Sequence, residues 1–303
     1  MTELRLRTIL TICFCCSLGN WASPVRAAER PPIVGIARIA LQVGDLSKAR
    51  AFYGEFLGFD ECFQDYSDEG HQEAVSFKVN DRQFIEIRPG LSPDQNDRLL
   101  QVAFETTDAV ALRDYLRQRG VSVPAETGKR KNGSLSFVVS DPEGHRLEFV
   151  QYLADSQPVR TRGSYLSPRR ISDRMLHVGV VIADVVAADR FYKEVLGFSE
   201  IWRGGRTDPV TDWINMKVPE GTDYLEYMLV SGKVDRRQLG VLHHLALQVP
   251  DIQKSLDALR ARQREQSPVP IGSPRVGRNN RWQLNLYDAD GTRTELMEPF
   301  TIR

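Results

Sequence analysis

Four side chains in the C-terminal half of this chain have the types and settings that chemistry at a metal ion needs: His177 in MLHVGVVI, Glu226 in YLEYM, His244 in LHHLALQV and Glu295 in GTRTELME. In the run around His244, Leu245, Leu247 and Val249 alternate with His244, Ala246 and Gln248, and side chains along a strand alternate between faces. The apolar set must face a packed layer, so His244 faces away from it. The same parity sets His177 against Val178, Val180 and Ile182, Glu226 against Leu225 and Tyr227, and Glu295 against Thr294 and Leu296. Two neutral imidazoles and two carboxylates suit a borderline divalent ion such as Zn2+, Ni2+, Fe2+ or Mn2+, with positions left for substrate. The expected cofactor is one such ion, provided the strands bring the four groups together. The chain has five histidines; His71, His145 and His243 read as a loop residue, a turn residue and an opposite-face neighbour.

The elements that must do the positioning are repeated. IARIALQVGDLSKARAFYGEFLGF (residues 36–59) aligns without a gap on MLHVGVVIADVVAADRFYKEVLGF (175–198), and eight of the twenty-one positions from Ile39 and Val178 onward are identical. Each copy reads as an apolar strand, an Asp that caps a helix, and a helix closed by Gly. Ala49, Phe52, Tyr53, Phe56 and Leu57 share one helical face. Weaker copies, residues 99–120 and 242–263, repeat strand, Asp and helix. A strand carrying a glutamate comes late in each unit, at Glu86, Glu148, Glu226 and Glu295, and Asp141 to Gly144 and Asp288 to Gly291 read as turns feeding the last strands. The fold class is therefore α+β: four βαβββ modules paired into two domains, 33–153 and 174–303, each a mixed sheet curled into a cup with helices outside. The Pro-, Ser- and Arg-rich stretch 154–173 reads as the linker.

Composition bounds the rest. Of the 303 residues, 41% are hydrophobic and 26% charged, which describes an ordinary globular chain with room for two cores. Forty basic residues balance forty acidic ones without a basic block, so nothing points to nucleic acid, and a small-molecule substrate is the expected partner. Residues 1–27 read as a secretory signal: Arg5 and Arg7, an apolar run from Ile9 to Leu18, and cleavage after Ala27. The apolar run is short for a membrane span, and an uncleaved anchor is the alternative. Cleavage leaves a secreted or periplasmic chain with no membrane segment, and removes Cys13, Cys15 and Cys16. Cys62 then remains alone, so no internal disulfide is expected.

With strand, Asp-capped helix and glutamate-bearing strand repeated four times and His177, Glu226, His244 and Glu295 in place, the chain resembles the vicinal oxygen chelate superfamily, which includes glyoxalase I, methylmalonyl-CoA epimerase, extradiol dioxygenases and the bleomycin resistance proteins. The resemblance covers nearly all of the mature chain and implies that metal ligands occupy the first and last strands of paired modules, which here are those four residues. The matching positions of the first domain are Arg38, Glu86, Gln101 and Glu148. A guanidinium cannot ligate, so Arg38 is expected to replace the ion by pairing with Glu86 or Glu148, leaving that domain metal-free and degenerate.

The resemblance implies three functional readings. The first is a glyoxalase- or epimerase-like proton transfer beside a carbonyl, with His177, His244 and Glu295 as ligands and Glu226 as ligand or base; the catalytic groups are then Glu226 and Glu295. Export argues against a cytoplasmic thiol as cosubstrate. The second is an extradiol dioxygenase with Fe2+ or Mn2+ on His177, His244 and Glu295, although the segment before Glu295 lacks the His and the Tyr-x-x-x-Pro-x-Gly spacing of such enzymes: Tyr287 lies four residues before Gly291. The third is a binding protein without chemistry, its cup lined by Trp202, Trp213, Trp282 and Tyr224. Arg275, Arg278, Arg281 and Trp282, in the segment before the last strands, are the expected substrate contacts. Gly204 and Gly205 with Arg203 and Arg206 read as a hairpin loop.

Overall fold

The structure, a computed structural model, describes residues 29–265 and 270–300. The expected signal sequence with its cleavage point at Ala27 lies outside the described residues. The first module contributes β1 (Ile33–Val43), β2 (Glu61–Tyr66), β3 (Gln72–Lys78) and β4 (Phe84–Pro89), and the second β5 (Leu99–Thr106), β6 (Gly128–Lys129), β7 (Leu135–Ser140) and β8 (Arg146–Gln151). Together they form one sheet in the order β2-β3-β4-β1-β5-β8-β7-β6. The third module supplies β9 (Met175–Ile182), β10 (Ser199–Gly204), β11 (Trp213–Lys217) and β12 (Tyr224–Leu229), and the fourth β13 (His244–Gln248), β14 (Arg275–Val276), β15 (Trp282–Tyr287) and β16 (Arg293–Met297). Their sheet repeats the pattern, β10-β11-β12-β9-β13-β16-β15-β14. Within every module the first and last strands run parallel, and the two modules of a sheet join where their first strands pair antiparallel.

The helices begin where capping chemistry says they should. Asp45 accepts hydrogen bonds from the Ser47 and Lys48 amides and starts α1 (Leu46–Ala49); Asp108 accepts from the Ala111 amide and starts α2 (Ala109–Gln118). After the short α3 (Gln157–Arg160), Asp184 accepts from the Ala187 amide to start α4 (Val185–Asp189). Asp235 closes a capping box on α5 (Arg236–Leu242), and Asp251 accepts from the Lys254 amide at the head of α6 (Ile252–Glu265). One feature departs from a regular helix. Beyond α1 and α4 the chain widens into π-turns over Arg50–Phe56 and Arg190–Val195, with the Leu57 amide donating to Phe52 O and the Leu196 amide to Phe191 O, five residues back. The wider winding still buries Ala49, Phe52, Tyr53, Phe56 and Leu57. Gly58 and Gly197 then turn the chain back at φ +81° and +78°, a conformation that disfavours any side chain.

The helix-facing sides of both sheets and the apolar faces of the helices merge into one hydrophobic cluster, which includes Val178, Val180, Ile182, Leu245, Leu247 and Val249. The two Asp-x-x-Gly segments are turns, and they also lock the sheets together. Tyr53 Oη donates to Asp288 Oδ2 at 3.0 Å, and Tyr192 Oη donates to Asp141 Oδ2 at 2.8 Å. The repeated Phe-Tyr pair thus packs its own module and reaches the opposite one. The connecting stretch is tied to the first sheet by Lys78, whose ammonium donates to the carbonyls of Thr161 and Ser164. Among the described residues no helix is long and apolar enough to cross a membrane.

Candidate metal centre

Pairing register brings the four sequence-selected groups to one point. On either side of Gly179 in β9 lie His244 of β13 and Glu226 of β12, while Ala246 sits between His177 and Glu295. All four side chains leave the cup face, and their donor atoms lie within 4.8 Å of one another. His177 Nε2 is 3.0 Å from His244 Nε2. Glu226 Oε2 is 3.7 Å from His177 Nε2 and 3.4 Å from His244 Nε2, and Glu295 Oε2 is 3.6 Å from each. Ligands about 2.1 Å from a common ion stand roughly 3.0–3.4 Å apart in octahedral or tetrahedral arrangement, so these residues fit a divalent ion.

The surroundings prepare the donors. His244 Nδ1 lies 2.8 Å from Leu242 O and donates to it, which leaves the Nε2 lone pair facing the centre, the tautomer a metal requires. His177 stacks on Tyr224 with ring centroids 4.7 Å apart, and its Nδ1 is buried without a partner. Burial, partly opposed by the Glu226 charge, lowers the His177 pKa to about 4, so the imidazole is neutral at physiological pH. Burial pushes the Glu295 carboxyl up, but the adjacent His244 and the Arg293 charge outweigh it and hold the group at about 2. Glu226 is likewise held below the ordinary range against its burial, by His177 and His244. The site therefore presents a neutral His177 imidazole and two ionised carboxylates, with His244 Nε2 facing them.

Two glycines make the room. A Cβ on Gly179 would stand 2.1 Å from both Cε1 and Nδ1 of His244, so only glycine lets that ring lie against β9. A Cβ on Gly277 would meet the Gln283 side chain at 2.4 Å. Above the four groups a cavity of about 610 Å³ opens, bordered by Glu226 and Glu295 below, Trp202, Trp213 and Met228 on one side, and the β14–β15 hairpin on the other. Of the expected substrate contacts, Arg275 and Arg278 border this cavity while Arg281 and Trp282 do not. Trp282 shares the strand parity of the core residues Leu284 and Leu286, which puts it on the face opposite Gln283. Tyr224 packs against the His177 ring instead of lining the opening. Arg206, expected in a plain hairpin loop, borders the cavity with its guanidinium 5.7 Å over the Trp213 ring. Sequence reasoning passed over Gly179, Gly277 and Arg293. The available signals were a glycine inside an apolar strand and an arginine two residues before Glu295, on the same face.

In the first sheet the register places the matching residues likewise: Gln101 and Glu86 flank Ala40, and Ala103 lies between Arg38 and Glu148. Here Arg38 pairs with both carboxylates, its Nε 3.1 Å from Glu86 Oε2 and its Nη2 in close contact with Glu148 Oε2. A second guanidinium, Arg130, joins the same two carboxylates at 2.9 and 2.8 Å, and Arg88 adds a bond to Glu86 at 2.8 Å. Gln101 Nε2 is buried without a partner. Guanidinium charge thus occupies the place where the second cup has imidazoles, and Arg130 is matched there by Gly277 through the shared hairpin bonds Arg130 N to Ser134 O and Gly277 N to Arg281 O. The remaining histidines turn elsewhere: His243 to Asp97, with its ring against His145, and His145 to Asp141.

Two curled eight-stranded sheets of paired βαβββ modules, one with a buried His/Glu cluster on its open face, define a tandem chelate-type fold with a single candidate metal centre among the described residues. The family model of the Glyoxalase/Bleomycin resistance protein/Dioxygenase superfamily matches residues 35–149 and 174–296, and the chain belongs to that superfamily. A probable lactoylglutathione lyase of Synechocystis sp. is 30% identical over 118 residues, 37% of this chain and 90% of the relative. Among solved structures, the 2,3-dioxygenase LapB from Pseudomonas sp. KL28 superposes with a TM-score of 0.66 at 16% identity, covering 89% of this chain and 93% of that one. Homoprotocatechuate 2,3-dioxygenase from Arthrobacter globiformis gives 0.64 at 22% identity, over 91% of this chain and 82% of its own.

Proposed function

We propose that this chain is a metal-dependent enzyme that moves a proton beside a carbonyl of a small substrate carrying two adjacent oxygens, the glyoxalase- or epimerase-like reaction of its superfamily. The observation that carries this reading is the second carboxylate. Three donors hold a catalytic ion and leave positions open, and here Glu226 is a fourth group at the same point that also borders the cavity. His177, His244 and Glu295 would hold a divalent ion, with Glu226 as a further ligand or the base. When bound, the ion supplies electrostatic stabilisation of negative charge on the substrate oxygens. Glu226, ionised at neutral pH, takes the proton from the carbon next to the carbonyl, and the proton returns either to that carbon or, with a hydroxyl proton shifting between the two oxygens, to its neighbour. Its side chain is 12% exposed against 4% for Glu295, so it is the carboxylate nearer to substrate. Trp202, Trp213 and Met228 wall the cavity.

The experiment is solvent-deuterium exchange into α-hydroxy ketones by the metal-loaded chain. Glu226→Gln should keep the ion and lose about 10²- to 10⁴-fold in exchange; exchange that survives the substitution contradicts the role of Glu226. A second reading, ring cleavage of catechols at His177, His244 and Glu295, is supported by the full-length likeness to 2,3-dioxygenases. Against it, the third imidazole nearby, His243, turns away to Asp97. Oxygen uptake with catechols that is insensitive to Glu226→Gln would establish the ring-cleaving reading and displace the first.

A further inference from the structure

Four cations are buried among the described residues: Arg38, Lys78, Arg98 and Arg293. Three of them have oxygen acceptors. Arg38 holds Glu86 and Glu148, Lys78 holds Asp81 and two carbonyls, and Arg98 donates to the carbonyls of Asn96, Arg236 and Asp290. Arg293 is 8% exposed and has none: its Nη2 lies 2.8 Å from both nitrogens of His244, and its Nε is buried without a partner. Glu295 balances its charge only through space, with no direct ion pair; a buried guanidinium without an oxygen acceptor is costly, and this one borders the cavity above the His/Glu centre. Its counterpart in the first sheet, Arg146 at the head of β8, is exposed to solvent.

We propose that Arg293 anchors a carboxylate of the substrate beside the metal centre, and that the substrate is therefore a small 2-hydroxy or 2-oxo acid with a planar apolar portion against the cavity wall that Trp202 and Trp213 form. The proposal rests on the metal reading above for the placement of the substrate's oxygen pair. His244 Nδ1 donates to Leu242 O, so once an ion takes the Nε2 lone pair neither ring nitrogen can accept from Arg293. The two glutamates are balanced by the same divalent charge. One guanidinium donor set is then left facing the cavity, and a planar monoanion accepts from it in bidentate fashion. The other arginines bordering the cavity are differently placed: Arg206 pairs with Asp212 at 3.1 Å, Arg278 pairs with Asp208, and Arg275 is exposed on β14, where water solvates its charge. Where the first cup has Arg130 the second has Gly277, with the Gln283 amide beside it, so no second guanidinium occupies the cavity from this hairpin position.

The test uses the full chain and three probes of similar size: mandelate, its neutral analogue mandelamide, and phenyl phosphate. Binding is read by quenching of tryptophan fluorescence, to which Trp202 and Trp213 contribute at the cavity wall, and metal content is measured on the same samples. Wild type should bind mandelate about tenfold or more tightly than mandelamide, as expected for a charge-assisted pair out of water. Arg293→Met should erase the preference while the metal content stays at the wild-type level. Equal affinities for acid and amide in wild type overturn the proposal, and this arm does not depend on any variant folding. A preference that persists in Arg293→Met assigns the anion to another group and also overturns it. Tighter binding of phenyl phosphate than mandelate overturns the carboxylate assignment. Acid selectivity that depends on Arg293 in a chain retaining no metal upholds the anchor and rejects the metal reading; metal retention without selectivity does the reverse.

Discussion

Replacing Gly179 by alanine tests how tightly the candidate centre is built. The added methyl carbon would stand 2.1 Å from Cε1 and Nδ1 of His244 and 2.7 Å from Leu242 O. Carbon atoms at ordinary contact are about 3.5 Å apart, so the imidazole must retreat by roughly 1.4 Å, against a tolerance of about 0.2 Å for a metal-ligand distance. The retreat also strains the His244 Nδ1 hydrogen bond to Leu242 O, which fixes the tautomer. Loss of an orienting partner alone costs about 10- to 100-fold in metal affinity, and loss of the ligand position should bring Gly179→Ala to the upper end of that range or beyond. Overpacking in the strand is expected to cost about 1–3 kcal/mol of stability. The assay is competition for a divalent ion against a chromophoric chelator, with circular dichroism showing that the variant is folded. Ala40, which occupies the matching register position between Gln101 and Glu86, supplies the control: Ala40→Gly should leave metal affinity unchanged. A folded Gly179→Ala chain with wild-type affinity would refute the argument that His244 is a positioned ligand.

Other expectations concern the framework and the charge cluster of the first sheet. Tyr53→Phe and Tyr192→Phe each remove a donor from a buried aspartate at the junction of the sheets and should lower unfolding free energy by about 1–3 kcal/mol apiece in urea titrations. Arg38→Met leaves Glu86 and Glu148 to Arg130 and Arg88 and should cost about 3–5 kcal/mol, measured the same way, with no change in metal content. Burial pushes the Glu86 carboxyl up, but Arg38, Arg130 and Arg88 hold it at about 2, against an ordinary 4.5. Because this pKa is depressed on folding, its contribution of about 3 kcal/mol is present at neutral pH and is lost as pH falls from about 4.5 towards 2. Acid titration of the wild type should show that loss, and Arg38→Met should show less of it.

The parts of this molecule legible in its sequence are those written as local pattern. Alternation around His177 and His244 and the duplicated strand-Asp-helix units depend only on neighbours along the chain, and they suffice to place the four groups on one face. What they leave out depends on separation in space. The pairing of Tyr53 with Asp288 joins residues far apart in sequence, and the π-turns beyond α1 and α4 leave the apolar spacing unchanged while altering the backbone. Arg130 and Gly277 differ only in a hairpin, where no periodicity marks which side chain reaches the centre of the cup. Trp282 was legible in principle: counting parity from Leu284 and Leu286 puts it on the core-facing side, and its aromatic type suggested otherwise. Arg293 carries the parity of Glu295 on the same strand. Its burial beside His244 without an oxygen acceptor appears only once β13 and β16 lie side by side.

Equilibrium dialysis of the full chain against a limiting divalent ion, followed by elemental analysis, bears most directly on the central claim that His177, Glu226, His244 and Glu295 form one metal site. The account predicts about one equivalent retained by the wild type and by Arg38→Met, and almost none by a folded chain carrying both His177→Ala and His244→Ala. A wild-type chain that retains no ion, or a double variant that retains as much as the wild type, would contradict it.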